Sequence, residues 1–216
     1  MDLISQLFFI LTGVPNTLLI SVFAFFLGFA LGVPLAFIRA YGGTIPRLIV
    51  DGYEKLARGV PVLVMMLFLY FGVGRYVPFF RDAFISSVVA LGLRSGAHQS
   101  QIFRGAIRGI GEGQMMAARS LGLTKLQAIR HVILPQTFIA ATPGLGVEYA
   151  LLIKDSSLAF LLGVIEMMKK AEILMRATRS TVIPYFGAAF FYIMLTFPIA
   201  TYLDRWGSRK KRELGI

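Results

Sequence analysis

Four polar residues in apolar surroundings carry the clearest chemistry in this sequence. Arg94, His98 and Gln101 follow one another at intervals of four and three residues, so a helix carries them on one face. Glu148 lies in a later apolar stretch, beside Pro143 and glycines that permit close helix packing or local unwinding. Arginine binds anions, glutamate binds cations, and histidine and glutamine donate or accept hydrogen bonds. This set suits recognition of a charged or polar ligand.

A second stretch, residues 117–136, reads AARSLGLTKLQAIRHVILPQ and is basic and amphipathic. Helix formers over 114–121 end at Gly122, the residue type best suited to a left-handed helix end. Thr124 and Gln127 have the capping-box spacing and predict a second helix over 125–134. The apolar face of this helix pair is formed by Ala118, Leu121, Leu126 and Ile129. Flanked by cations, that face suits a groove on a cytosolic partner or, alternatively, the membrane surface.

The sequence offers no catalytic constellation. It lacks a G-x-x-x-x-G-K-[ST] stretch, and with it the phosphate cradle and lysine needed to hydrolyse ATP. It has no cysteine, its two histidines fall in different elements, and paired carboxylates or a Ser/His/Asp set are not evident. We therefore expect neither enzymatic activity nor a metal or cofactor site in this chain.

The composition predicts that these residues are positioned by membrane helices. Of 216 residues, 56% are hydrophobic and 15% charged, with a mean hydropathy of +0.73; soluble domains carry about 25% charged residues. Apolar runs near the ~20 residues that cross a bilayer recur along the chain. We predict five spans, at about 17–38, 56–74, 83–103, 132–153 and 180–203. An arginine in mid-membrane costs on the order of 2.5–3.5 kcal/mol, so the stripe with Arg94 should face a wet path or a partner.

The net charge of +11 is concentrated in three segments, 39–58, 104–131 and 205–212. These segments fall on one side of the membrane if five spans alternate. The positive-inside rule then puts them in the cytoplasm with the C-terminus, and the N-terminus outside. Because this topology accounts for the charge, nucleic-acid binding is not expected.

The basic loop also resembles a known family. Its spacing A-A-x3-G-x9-[hydrophobic]-x-L-P is similar to the loop motif of ABC-importer permease subunits, and is met by Ala117, Ala118, Gly122, Val132, Leu134 and Pro135. Three further stretches resemble the polar amino-acid branch of that family: RGVPVLVMMLFLYFG from Arg58, SGAHQSQIFRGAI from Ser95 and KDSSLAFLLGV from Lys154. The matches occur in order and cover nearly the whole chain.

The resemblance implies partners as well as a role for the loop. In this family the loop is a coupling helix that sits in a cleft of the ATP-hydrolysing subunit. Here it covers about residues 112–134, with Ala117, Ala118, Leu121, Gly122, Leu126, Leu134 and Pro135 as its key positions. The resemblance further implies two ATPase subunits that bind ATP and magnesium, an extracytoplasmic solute-binding protein and a second permease subunit, identical or paralogous, in a prokaryotic cell membrane.

The resemblance also implies an amino acid as the ligand of the polar residues. The expected pathway is lined by Arg94, His98, Gln101 and Glu148, with Arg94 on the substrate carboxylate and Glu148 near its ammonium. The family commonly has glutamate at position 101, tyrosine at 98 and a loop glutamate where Met116 stands. Because neutral Gln101 leaves the stripe positive, we expect a neutral-polar or acidic amino acid rather than arginine or lysine. The alternative is a structural Arg94–Glu148 ion pair that touches no substrate.

The predicted fold is all-α: a single domain over 1–216, with five transmembrane helices and a cytoplasmic coupling-helix loop. Two shorter apolar stretches, 3–12 and 156–168, are predicted to be interfacial or re-entrant helices. Two other functional classes stay open. A stand-alone secondary carrier or channel should show inverted-repeat symmetry, which the sequence lacks. A non-transporting membrane anchor would not need the polar stripe of the third span.

Overall fold

The regular elements of the computed structural model, which describes residues 2–110 and 112–213, are all helical. In chain order the α-helices are α1 (Leu3–Leu11), α2 (Val14–Tyr41), α3 (Thr44–Gly59), α4 (Val62–Leu67), α5 (Ala83–Ile110), α6 (Glu112–Ser120), α7 (Lys125–Ala128), α8 (Leu134–Asp155), α9 (Met167–Thr178) and α10 (Val182–Glu213). The all-α prediction is thus confirmed for this part of the chain. The C-terminal Ile216, predicted to be cytoplasmic, lies outside the described residues.

The predicted second span, 56–74, is broken by Pro61. The proline favours an extended conformation at Val60 (φ −88°, ψ 129°), and α3 ends there. The chain restarts as α4 and continues through a π-helical turn, Phe68–Gly72, and a 3-10 turn, Val73–Arg75. The two helical parts meet at an angle of 98°. Residues 56–59 therefore belong to α3, on the other side of the bend.

Two helical stretches in the described residues are long and apolar enough to cross a membrane, Leu3–Tyr41 and Val182–Glu213, and the bent α3–α4 pair makes a third if it counts as one span. The predicted third and fourth spans correspond to α5 and α8. Arg94, His98 and Gln101 in α5, and Glu148 in α8, lower the apolar character of these two helices. The fold is of the membrane type, and five crossings stay a prediction.

α5 is the central helix, because it packs along α2 on one side and against α8 on another; α8 in turn packs against α10. The approach of α2 to α5 requires glycine: a Cβ at Gly28 would lie 2.8 Å from the Cβ of Ser95. Phe29 of α2, Phe103 of α5 and Phe138 of α8 contact one another with ring centroids 5.6–5.7 Å apart. This aromatic cluster fixes three helices relative to one another.

The apolar stretch predicted as one interfacial or re-entrant helix, 156–168, is divided by a glycine. It forms a 3-10 segment, Ser156–Leu162, that ends at Gly163 with φ 93°, and α9 begins at Met167. Glu166 caps α9: its carboxylate is fully buried and accepts hydrogen bonds from the backbone N–H of Met168 and Lys169, both at 2.8 Å. Tyr192 of α10 donates to the same carboxylate at 2.6 Å. The cap therefore ties this segment to α10.

Candidate functional site

α5 and α8 bring two pairs of polar side chains together where they pack. The Arg94 guanidinium donates through Nη2 to Oδ2 of Asp155, the last residue of α8. One turn further along α5, His98 Nδ1 lies 3.7 Å from Oε2 of Glu148. Arg94, His98, Glu148 and Asp155 are called the polar cluster below.

Arg94 and Glu148 do not form the direct ion pair that was considered from the sequence; each has another partner. Arg94 is bonded to Asp155, and the Glu148 carboxylate instead lies beside the imidazole of His98. The charges of Arg94 and Asp155 nevertheless both act on Glu148, so the three groups form one electrostatic unit. The predicted proximity of Arg94 and Glu148 therefore arises within a larger cluster.

Two buried atoms of the polar cluster have no hydrogen-bond partner within the described residues, Arg94 Nε and Glu148 Oε1. Buried polar atoms are nearly always paired, and an unpaired one costs about 1–3 kcal/mol. The cluster is also accessible at its edge, because the side chains of His98 and Asp155 are 36% and 27% exposed. Arg94 Nε as a donor and Glu148 Oε1 as an acceptor are thus available to a polar molecule that reaches this edge.

Gln101 does not join the polar cluster, although it follows His98 on the predicted helix face. Its amide donates to Oε2 of Glu54, a buried residue of α3, at 3.2 Å. Ser100 Oγ and Arg104 Nη1 donate to the same carboxylate at 2.7 and 3.3 Å. The predicted stripe is therefore divided between two neighbours, α8 for Arg94 and His98, and α3 for Gln101.

Two charged residues, one in the polar cluster and one beside it, are absent from the site predicted from the sequence. Asp155 lies just beyond the predicted fourth span, which ends at Ile153, whereas α8 continues to Asp155. Arg58, at the end of α3, acts electrostatically on His98 together with Arg94 and Asp155. Both residues lie in stretches that carry the family resemblance, RGVPV and KDSSL, and this is the signal that could have identified them.

The basic loop has the predicted helix–glycine–helix structure. α6 ends in a Schellman motif, in which Gly122 N–H donates to Arg119 O at 3.0 Å and Leu123 N–H to Ala118 O at 3.2 Å. Gly122 adopts the left-handed conformation, φ 84°. Thr124 and Gln127 form the capping box that starts α7. The local signals in the sequence are confirmed at this loop.

The apolar surface that the loop exposes is smaller than the predicted apolar face. Leu121 and Leu126 are 84% and 74% exposed, and Met116 beside them is 63% exposed. Ala118, predicted on the same face, is 3% exposed and packs inward, because the chain turns at Gly122 and folds α7 back on α6. Ala117 and Pro135 are exposed, and Leu134 is half-buried. Leu121 and Leu126 are called the leucine knob below.

The second loop helix is continuous with α8, the helix that carries Glu148. α7 passes through a π-helical turn, Ile129–Ile133, into α8 without a break, and Pro135 occupies the first turn of α8, where its missing N–H costs no hydrogen bond. Lys125 also donates to Tyr41 O at the end of α2, at 3.0 Å. One continuous helical path therefore joins the leucine knob to the helix that carries Glu148 and Asp155.

Comparison with known proteins gives a family match over most of the chain. The model of the family described as "binding-protein-dependent transport system inner membrane component" matches residues 28–212. The chain is 30% identical to the nopaline transport system permease protein NocM of Agrobacterium fabrum, over 88% of this chain and 83% of that protein. It is 31% identical to the glutamine transport system permease protein GlnP of Escherichia coli K12, over 94% and 93%.

Solved structures share the same fold. A chain from the crystal structure of an amino acid ABC transporter with histidines superposes with a TM-score of 0.85 at 29% identity, over 97% of this chain and 99% of that one. A chain of the inward-facing MetNI methionine ABC transporter gives a TM-score of 0.79 at 18% identity, over 94% and 96%. The second similarity extends to the fold alone.

Proposed function

Because this chain belongs to the family of binding-protein-dependent transport system inner membrane components, we propose that it forms the membrane pathway of an ATP-driven importer for a polar amino acid. The chain is a multi-pass transport subunit of the inner membrane and not an enzyme. The proposed assembly contains two ATPase subunits that bind ATP and magnesium, an extracytoplasmic solute-binding protein and a second permease subunit. Membership in a multi-subunit family argues against a stand-alone carrier, and the polar cluster argues against a mere membrane anchor.

The observation that carries the substrate proposal is the polar cluster. An amino acid has one carboxylate and one ammonium, and the cluster offers a guanidinium next to two carboxylates. The substrate carboxylate would take the place of Asp155 on Arg94, and the released Asp155 and the Glu148 carboxylate would accept hydrogen bonds from the ammonium. Such an exchange retains the charge pairing, which matters because an unpaired buried charge costs several kcal/mol.

The charges around the cluster favour a substrate with an uncharged polar side chain. The positive charges of Arg58 and Arg94 are balanced by the negative charges of Glu148 and Asp155. A zwitterionic substrate has no net charge and therefore keeps this balance. An acidic side chain could approach exposed Arg58. A cationic side chain would meet the like charges of Arg58 and Arg94, while both carboxylates of the cluster are already assigned to the substrate ammonium. Relatives whose names specify glutamine and nopaline support an amino-acid substrate.

We predict that neutral-polar amino acids compete best for uptake, acidic ones next, and arginine or lysine at least about tenfold more weakly, since ~1.4 kcal/mol of charge mismatch suffices for that factor. The measurement is uptake of labelled glutamine by proteoliposomes that contain the complete complex, with unlabelled competitors. The same solute-binding protein is present throughout, because it also selects substrates. Preferred uptake of arginine or lysine contradicts the substrate class, and uptake that needs no ATP contradicts the importer assignment.

Topology gives a second prediction, based on the basic segments 39–58, 104–131 and 205–212, which we propose to be cytoplasmic. A reporter fused after Ile216 should behave as cytoplasmic. An external cysteine label is best placed at Tyr76, 80% exposed, rather than at Gly74 in the same loop. Gly74 is buried, and a Cβ there would lie 2.9 Å from Phe80 O.

The matched control for Tyr76→Cys is Lys211→Cys, an exposed position in the basic segment 205–212. The chain has no cysteine of its own, so each variant carries a single thiol. In intact cells an impermeant thiol reagent should modify the residue at position 76 and reach position 211 only after permeabilisation. The reverse pattern would invert the proposed orientation.

A further inference from the structure

A cavity of about 550 Å³ lies where the ends of α2 and α5 meet the beginnings of α3 and α6. Arginines from three helices line it: Arg39 of α2, Arg47 of α3, and Arg104 and Arg108 of α5. Apolar and aromatic side chains complete the wall, among them Tyr41 and Ile107. The cavity is separate from the polar cluster, which lies two to three turns away along α5, so the transport pathway does not account for it.

Two of the four arginines are already paired and two are available. Arg39 is bonded to Asp51, and Arg104 to Glu54. Arg47 donates to a backbone carbonyl, Ala40 O, at 3.3 Å, and the exposed Arg108 has no partner in the part of the chain that the structure describes. Glu112 also contributes one carboxylate to the lining. Lys125, 3.0 Å from Tyr41 O, adds a further cation beside the wall.

The position and lining of this cavity indicate its ligand. Because the chain is an inner-membrane protein, the ends of α2 and α5 come where apolar runs give way to charged residues, at the depth of lipid headgroups. Tyrosine is enriched at that depth, and Tyr41 faces the cavity. Guanidinium groups bind phosphate oxygens through two parallel hydrogen bonds, and basic pockets between membrane helices bind anionic headgroups.

We propose that this cavity binds the phosphate of an anionic lipid headgroup, held by Arg47 and Arg108, with the glycerol and first acyl carbons against Tyr41 and Ile107. A lipid bound there would join α3 and α5 to α6, the first helix of the coupling loop. The proposal concerns a site outside the transport pathway, and it depends on the membrane location of the chain rather than on the identity of its substrate.

The test uses the complete transport complex in nanodiscs of phosphatidylcholine with increasing fractions of phosphatidylglycerol. Native mass spectrometry measures the phosphatidylglycerol that stays bound. We expect Arg47→Ala and Arg108→Ala each to weaken retention about fivefold, the effect of one basic group near an anionic surface. Arg108→Lys keeps the charge and should lose less of the bound lipid. Arg130 is an exposed cation of the loop outside this cavity, so Arg130→Ala should retain lipid as the unmodified complex does.

Three outcomes would overturn the proposal. Equal retention in the cavity variants and in Arg130→Ala would mean that the lipid binds by general surface charge. Binding of inorganic phosphate to the complex in pure phosphatidylcholine, in competition with phosphatidylglycerol, would identify a free anion as the ligand. Loss of the ATPase subunits from Arg47→Ala and Arg108→Ala, with lipid retention unchanged, would identify the cavity as a protein contact. Amino-acid uptake by these variants is measured separately, so that failure of the lipid-site proposal can be distinguished from failure of the importer proposal.

Discussion

Replacing Gly122 by valine is expected to lower ATP-driven uptake by more than about tenfold while the chain still inserts into the membrane. Gly122 has φ 84°, a conformation that costs an ordinary residue about 1–2 kcal/mol and a β-branched residue more. Open space surrounds the position, so the effect arises from the backbone and not from a steric clash. Losing the left-handed turn moves α7 relative to α6 and displaces the leucine knob that we propose to dock on the ATPase.

Uptake and substrate-stimulated ATP hydrolysis should fall together in Gly122→Val, because both need the docked loop. Two variants provide the controls. Gly122→Asn should keep most activity, since asparagine tolerates the left-handed region. Gly113→Val, in the helical part of the same loop and also in open space, should behave like the unmodified chain. Full coupled transport by Gly122→Val at normal expression would refute the role proposed for this loop.

Glu148→Gln is expected to raise the apparent KM for substrate by at least about tenfold, which corresponds to ~1.4 kcal/mol of lost binding energy. The substitution keeps the shape of the side chain, but it removes the charge that we propose to face the substrate ammonium. Arg94→Ala should have an effect at least as large, because it removes the group for the carboxylate and leaves Asp155 unpaired. Both values come from uptake rates in proteoliposomes at saturating solute-binding protein.

Glu166→Gln separates a binding role from a structural one. Glu166, like Glu148, is a buried glutamate, but it caps α9 and bonds to Tyr192 of α10 rather than to a member of the polar cluster. We expect this variant to melt at a lower temperature and to keep its apparent KM. If Glu148→Gln also lowered only the melting temperature, with KM and rate unchanged, the polar cluster would be a structural ion-pair network and the substrate site would lie elsewhere.

The features that sequence alone determined here are those set by neighbouring residues and by composition. The Gly122 turn and the capping box of Thr124 and Gln127 occur as predicted, because their hydrogen bonds join residues only three to five positions apart. The helical membrane class follows from long apolar runs, which need no knowledge of their neighbours. The break at Pro61 was local as well, and the prediction of a span over 56–74 overlooked the proline's effect on Val60.

Tertiary structure alone decided which side chains meet. Helical periodicity predicted that Arg94, His98 and Gln101 share one face of a helix. It did not predict which helices pack against that face. Arg94 pairs with Asp155, 61 residues away, and Gln101 with Glu54, 47 residues away, so one predicted site became two. Ala118 turned inward for a similar reason, since the fold of α7 on α6 sets its exposure. Sequence spacing specifies the side of a helix on which a residue lies. Which residue it contacts there depends on the packing of segments that are distant in the sequence.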